Sequence, residues 1–273
     1  MRATLTAPAK INLALVVGPR RDDGKHELVT VYEQIALEDT LMLESADGLE
    51  IEGFPADTLV TLALMSLAEA AGVEPRWRVH IEKGIPVGAG LGGGSSDAAA
   101  ALRLANASLA EPLDASRLHE LGAALGADVP LFLTSGPQLG QGDGTELTPL
   151  ELPRDYAVLV LLPHGATKHS TKAVYDAFDD RHGEVGFAER RDQLVGRVSD
   201  VSSLTDIASW PRNDLAHSPL AEELERQGSV RADVSGAGPA LYGLFESESD
   251  ARRAATAFAD RGAAWVVFPA WYG

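Results

Sequence analysis

Between Gly88 and Gly94 the chain places five glycines in seven positions, and no other stretch restricts its fold so tightly. Each glycine gives up more backbone freedom on ordering than any other residue, so a run this dense holds neither a helix nor a strand well. It has to be a loop. Just before it, Arg76 to Glu82 alternates Trp77, Val79 and Ile81 with Arg76, Arg78 and His80, the period of a half-buried strand. Just after it, Ser95 or Ser96 can cap an alanine-rich helix running to about Ala110. A glycine loop that leads from a strand into a helix lets successive N–H groups approach an anion closely, and the helix N-terminus adds partial positive charge. That is the chemistry of a phosphate cradle.

Two common cradles fit poorly. A Walker A loop needs Gly-Lys followed by Ser or Thr, and no lysine occurs between Gly84 and Asp114. Gly88, Gly90 and Gly93 satisfy the spacing of the dinucleotide fingerprint. That fold wants a second strand ending in an acid about 20 residues on, whereas Asp114 follows one helical pattern and begins another.

With 273 residues and 45% hydrophobic content, the chain can build two modest domains. Its 40 acidic and 23 basic side chains give a net charge of -17, a field that repels nucleic acid and anionic lipid alike. Neither is an expected partner. An anionic small molecule is compatible, because local cations and N–H groups can reverse the potential inside one cleft. The absence of cysteine removes disulfides, thiolate zinc sites and cysteine nucleophiles. No apolar run approaches the roughly 18 residues of a membrane span, and no signal peptide is read. The cytoplasm is the expected compartment, with a monomer or homodimer left open.

Lys10 to Val17 and Leu28 to Leu37 read as strands joined by the turn-prone Arg20-Arg21-Asp22-Asp23-Gly24. Leu59 to Ala71 has helical spacing and stops at Gly72, and Ala115 to Leu125 reads as a helix ending in the turn Gly126-Ala127-Asp128-Val129-Pro130. A boundary falls between Pro149 and Pro153, giving expected domains 1–151 and 152–273. Beyond it come a strand (Ala157 to Leu162), helical sequence to Leu224, paired strands near Val230 to Val234 and Leu241 to Phe245, a helix (Asp250 to Asp260) and a strand (Trp265 to Phe268). The order β-α-β-β-α-β is the ferredoxin-like arrangement, with extra helical sequence between Asp176 and Arg212. The expected class is α/β (α+β) in two domains. His164 and His169 lack zinc-type spacing and read as packing or surface residues.

The run Pro86-Val87-Gly88-Ala89-Gly90-Leu91-Gly92-Gly93-Gly94-Ser95-Ser96 resembles the second motif of the GHMP kinases. Pro8-Ala9-Lys10-Ile11-Asn12-Leu13 resembles the first, and Val234-Ser235-Gly236-Ala237-Gly238-Pro239 the third, so the likeness spans nearly the whole chain. The resemblance implies a two-domain GHMP kinase fold, ATP as phosphoryl donor on the glycine run, Mg²⁺ beside it, and a second glycine loop, Ser235, Gly236 and Gly238, shaping the nucleotide site. Ser96 and Asp97 are candidates for holding the metal, whose direct ligands stay open.

The same resemblance assigns a catalytic lysine to Lys10 and a catalytic aspartate to Asp128. Phosphoryl transfer passes through a loose transition state, so a protein mostly positions donor and acceptor and stabilises spreading charge. A carboxylate is too weak a base to ionise an alcohol outright, but it can take the proton as the O–P bond forms. Lys10 would keep Asp128 ionised and polarise the hydroxyl.

Arg20-Arg21-Asp22-Asp23-Gly24-Lys25-His26-Glu27-Leu28 is similar to a signature of one branch, the diphosphocytidyl-methylerythritol kinases, which use it at a cytidine site. The likeness implies a cytidine diphosphate substrate bound by Asn12, Lys25, His26 and Tyr175. At Lys25 the branch usually has a tyrosine that stacks on cytosine. The lysine stem is expected to cover the base while its ammonium meets a phosphate.

Overall fold

The computed structural model describes residues 2–55, 58–166 and 170–270, so His169 lies outside the described residues. In chain order the strands are β1 (Arg2–Arg20), β2 (His26–Ser45), β3 (Glu50–Glu52), β4 (Trp77–Glu82), β5 (Gln138–Gln141), β6 (Glu146–Pro149), β7 (Ala157–Pro163), β8 (Arg231–Val234), β9 (Leu241–Phe245) and β10 (Gly262–Val267). The helices are α1 (Thr58–Ala71), α2 (Gly93–Ser108), α3 (Ala115–Leu125), α4 (Thr171–Asp180), α5 (Phe187–Val195), α6 (Leu204–Ala208), α7 (Pro219–Arg226) and α8 (Glu248–Ala257). A 3-10 turn, Pro130–Leu133, follows α3.

Two compact units divide these elements. The first comprises Met1–Ala9, Leu37–Val87 and Gly92–Ser135, and the second Lys10–Ala36, Gly88–Leu91 and Gly136–Gly273. In the first, the C-terminal half of β2 pairs antiparallel with β4 from Thr40↔Glu82 to Ser45↔Trp77, and β3 adds parallel to β4. The alternation read in Arg76 to Glu82 holds: Trp77, Val79 and Ile81 are buried. α1 offers Val60, Ala63, Leu64 and Leu67 to the core, and α2 offers Ala98, Ala101, Leu102 and Ala105. In α1 these are spaced three and four apart and form one apolar face, whereas α2 is buried on nearly every side from Ser96 to Asn106, Arg103 excepted.

In the second unit, β7–β10 form an antiparallel sheet in the order β10-β7-β9-β8, with Val160 paired to Trp265 on one side and Tyr242 on the other. α7 and α8 cover one face through Leu224, Ala251, Ala254 and Phe258. Numbered from β7 as one, the strand order is 4-1-3-2, the ferredoxin-like arrangement read from the sequence. The tip of the β1–β2 hairpin closes through Arg21 N donating to Lys25 O at 2.7 Å. α4 packs on the hairpin through Phe178 against Leu15, Val17 and Leu28.

One local expectation is corrected. Neither Ser95 nor Ser96 caps α2, because the helix begins at Gly93 with Gly92 as its N-cap and no side-chain cap bond. The cap position has φ 75°, a left-handed conformation that glycine adopts without Cβ strain, so the turn into the helix is made before the serines.

Candidate active site

Lys10 is buried on β1 in the second unit. Its backbone N–H donates to Leu91 O at 2.9 Å, and its ammonium donates to Asn12 Oδ1 at 2.7 Å and lies 5.7 Å from the Tyr32 ring centroid. Asn12 Nδ2 donates to Thr30 Oγ1 at 2.8 Å, and Thr30 donates to Ala14 O at 2.7 Å. These residues belong to β1 and β2, so a regular hairpin sets the spacing of the lysine and its orienting amide. The β8–β9 loop meets the same place. Ser235 Oγ donates to Gly90 O at 3.2 Å, and Ala240 N donates to Ala89 O at 2.9 Å. A Cβ on Gly90, where φ is +85°, would fall 2.7 Å from both Ser235 O and Gly238 O. Both glycine loops therefore need bare backbone here.

In the first unit, the three leading residues of α2 are Gly93, Gly94 and Ser95, whose N–H groups precede the first i to i−4 bond, Ser96 N to Gly92 O at 2.9 Å. A Cβ on Gly94 would meet nothing within 4 Å. Pro86 is half-buried and Val87 exposed at the loop's start. Ser96 is buried, and its Oγ has no hydrogen-bond partner among the described residues. Asp97 is also buried, and Lys83 Nζ donates to its Oδ2 at 2.6 Å and to Asp39 Oδ2 at 2.5 Å. Burial works against the Lys83 charge, but these bonds outweigh it and hold the ammonium above its usual range. Asp39 also accepts from Gly84 N and Ile85 N, which fixes the strand end from which the glycine loop departs. Asp128 is half-buried in the turn between α3 and the 3-10 turn.

His26 opens β2 in the second unit and is buried. One face of α4 surrounds it: Tyr175 stacks at 4.8 Å between centroids, Phe178 meets it edge-on at 5.8 Å, and Asp179 Oδ1 lies 2.7 Å from Nε2. The spacing 175, 178, 179 is one helical stripe. Asp179 also accepts from Arg20 at 2.8 and 2.5 Å. Against a desolvation cost, the bonds from His26 and Arg20 hold its carboxyl below the usual range. Lys25, beside it, forms an ion pair with Asp143 on the β5–β6 turn. Burial pushes the Asp143 carboxyl up, but Lys25 and Thr145 outweigh it and bring it down to about 2. His164 is exposed and has no part in this cluster.

The family model described as GHMP kinases N terminal domain matches residues 58–136, and the GHMP kinases C terminal model matches residues 218–264. A 4-diphosphocytidyl-2-C-methyl-D-erythritol kinase of Kineococcus radiotolerans is 37% identical, covering 92% of this chain and 84% of its own. One from Chlorobium luteolum is 36% identical over 91% of this chain and 90% of its own. A crystal structure of 4-(cytidine 5'-diphospho)-2C-methyl-D-erythritol kinase superposes with TM-score 0.80 at 32% identity, covering 98% of this chain and 100% of that one. The chain belongs to this family of GHMP kinases. It is an ATP-dependent phosphotransferase with the two-domain GHMP kinase fold.

Several residues that organise this kinase's candidate site carry no sequence signal. Asp179 and Asp143 are single carboxylates in an acidic chain, distinguished only by what the fold brings to them, His26 and Lys25. Among the described residues there is no group of three or more His, Cys, Asp or Glu side chains suited to a metal, and no helix is long and apolar enough to cross a membrane.

Proposed function

We propose that this kinase transfers the γ-phosphoryl group of ATP to the 2-hydroxyl of 4-diphosphocytidyl-2-C-methyl-D-erythritol, a step of the non-mevalonate route to isoprenoid precursors in the cytoplasm. One observation carries the substrate. The segment Arg20–Leu28, similar to the cytidine-site signature, folds as a hairpin tip whose His26 is held by Tyr175 and Asp179 of α4. In this reading Asn12, Lys25, His26 and Tyr175 bind the cytidine compound. The backbone from Pro86 to Ser96 receives the ATP phosphates.

Asp128 takes the proton from the acceptor hydroxyl as the O–P bond forms. Lys10, oriented by Asn12, stabilises the charge that develops on the transferred group. Mg²⁺ uses a few protein oxygens together with phosphates and water, and Ser96, whose buried Oγ has no partner among the described residues, fits that demand. Asp97 stays a second candidate, since the single Lys83 ammonium is divided between its Oδ2 and that of Asp39. When bound, the ion neutralises phosphate oxygens during transfer. The functional division runs 1–151, carrying Lys10, the glycine loop and Asp128, and 152–273, carrying Tyr175 and the Ser235–Gly238 loop.

The acceptor carbon tests the reading directly. C2 of the methylerythritol bears a methyl group and no hydrogen, so a phosphomonoester formed there shows no three-bond coupling from phosphorus to a carbon-bound proton. We expect an uncoupled phosphomonoester line in the ³¹P spectrum of the product. A coupled line would place the phosphate on another hydroxyl, and no new line would remove the activity.

A further inference from the structure

Asn213 makes more directed contacts than its place in an irregular loop would suggest. It is buried, and all of its side-chain hydrogen-bonding groups are used inside the second unit. Nδ2 donates to Val234 O at 2.9 Å and to Gly236 O at 2.7 Å, while Oδ1 accepts from Leu215 N at 2.8 Å. Its backbone N–H donates to Asp233 Oδ2 at 3.0 Å. The residue also bridges Leu15 on β1, and the next residue continues the seam: Asp214 N donates to Leu15 O at 2.9 Å, and Val17 N donates to Asp214 Oδ2 at 2.9 Å.

Beneath this loop lies Arg231, whose side chain is fully buried. It donates to the carbonyls of Ile207, Trp210 and Pro211 and to Asp233 Oδ2, at distances from 2.8 to 3.3 Å. A buried guanidinium is costly unless it is satisfied, and here it is satisfied by the loop that presents Asn213. The carboxamide is therefore fixed from below and from both sides.

What it grips stands against Lys10. A Cβ on Gly236, where φ is +56°, would lie 3.3 Å from Lys10 Nζ and 3.4 Å from Asn12 Oδ1. Gly236 is thus the wall of the lysine's pocket, and Asn213 holds that wall by its carbonyl.

We infer that Asn213 is a positioning residue for phosphoryl transfer: through Gly236 it sets the place of the Lys10 ammonium. The inference rests on the catalytic assignment of Lys10 made above. An amide is required because only it supplies two N–H groups to two carbonyls and one acceptor to a backbone N–H. A carboxylate of the same shape would face both carbonyls with lone pairs.

The test uses Asn213→Ala and Asn213→Asp in the full chain. Both are expected to lower kcat about 10- to 100-fold, the scale of a small misplacement of a catalytic group, with each KM changed less than about threefold. Asn213→Ala combined with Gly236→Ala should show strong non-additivity, because both act on one contact. A second readout needs no substrate: the rate at which a small acylating reagent labels Lys10, followed by peptide mass spectrometry, should shift at least about threefold in either variant. A lowered melting temperature with unchanged kcat per folded molecule and unchanged labelling would make Asn213 a purely structural residue and overturn the inference. If the wild-type protein fails to phosphorylate the cytidine compound, the substrate reading falls, and Lys10 labelling still decides the role of Asn213. A variant that fails to fold leaves the decision to the other one.

Discussion

Glu33 is fully buried on β2; Tyr156 donates to Oε2 at 3.3 Å, while Oε1 has no partner among the described residues. Burial pushes its carboxyl from 4.5 up to about 8, against smaller opposing effects of Tyr156 and Arg154. Between those two values the unfolded chain gives up a proton that the folded chain keeps, so this group's contribution is fully present below pH 4.5 and is lost as pH rises toward 8. Glu33→Gln should therefore be the more stable protein at pH 8 by on the order of a few kcal/mol, with the gap closing toward pH 4.5. Denaturant midpoints across that range check this, and parallel pH profiles for the two proteins would contradict it. For Asp128, loss of its proton-accepting charge in Asp128→Asn should cost at least ~10²-fold in kcat with the melting temperature kept. Near-normal turnover would remove Asp128 from the mechanism. At Lys25 the ammonium is engaged by Asp143, so a tyrosine there would lose one exposed ion pair and gain a stacking face of ~1 to 3 kcal/mol. Lys25→Tyr should bind the cytidine substrate as tightly or up to roughly a hundredfold tighter, and a large loss of affinity, read by calorimetry, would show that the lysine does something a ring cannot.

The glycine loop shows how two chemically equal residues differ once folded. Gly90 has φ +85° and backbone oxygens 2.7 Å from any added Cβ, so Gly90→Ala should fold poorly or not at all. Gly94 has open space around it and lies in the first turn of α2, where alanine is the better helix former. Gly94→Ala should keep or raise the melting temperature while raising KM for ATP several-fold, because a methyl group blocks close approach of a phosphate to the helix N-terminus. An unchanged KM for ATP would place the phosphates elsewhere. This loop was legible because glycine density is a local signal. Its junction with α2 was less so, since serine is the usual N-cap and only the backbone reveals that Gly92 turns the chain first. β5 and β6 escaped notice for a similar reason: Gln138–Gln141 and Glu146–Pro149 are four residues each and show no apolar alternation. Asn213, Asp179 and Asp143 could not be found in the sequence at all, because their roles come from carbonyls and side chains far along the chain.

At the scale of the molecule, the element order β-α-β-β-α-β was readable and its strand order β10-β7-β9-β8 follows from it. The interleaving of chain segments in the compact units was not, since β1 and β2 each contribute to both and nothing in their composition marks where. A net charge of -17 constrains the proposed function: in that reading an anionic nucleotide and an anionic acceptor are held by backbone N–H groups and a few cations such as Lys10. A fold does not by itself name its substrate, so the proposed function assigns the choice of acceptor to the hairpin tip Arg20–Leu28 with α4. The most direct measurement is ADP release by the wild-type protein with 4-diphosphocytidyl-2-C-methyl-D-erythritol, homoserine and mevalonate in parallel. We expect a kcat/KM for the cytidine compound at least ~10²-fold above either of the others, the discrimination a well-matched polar pocket supplies. Equal or better turnover of another alcohol, or ATP binding with no ADP released from any of them, would contradict it.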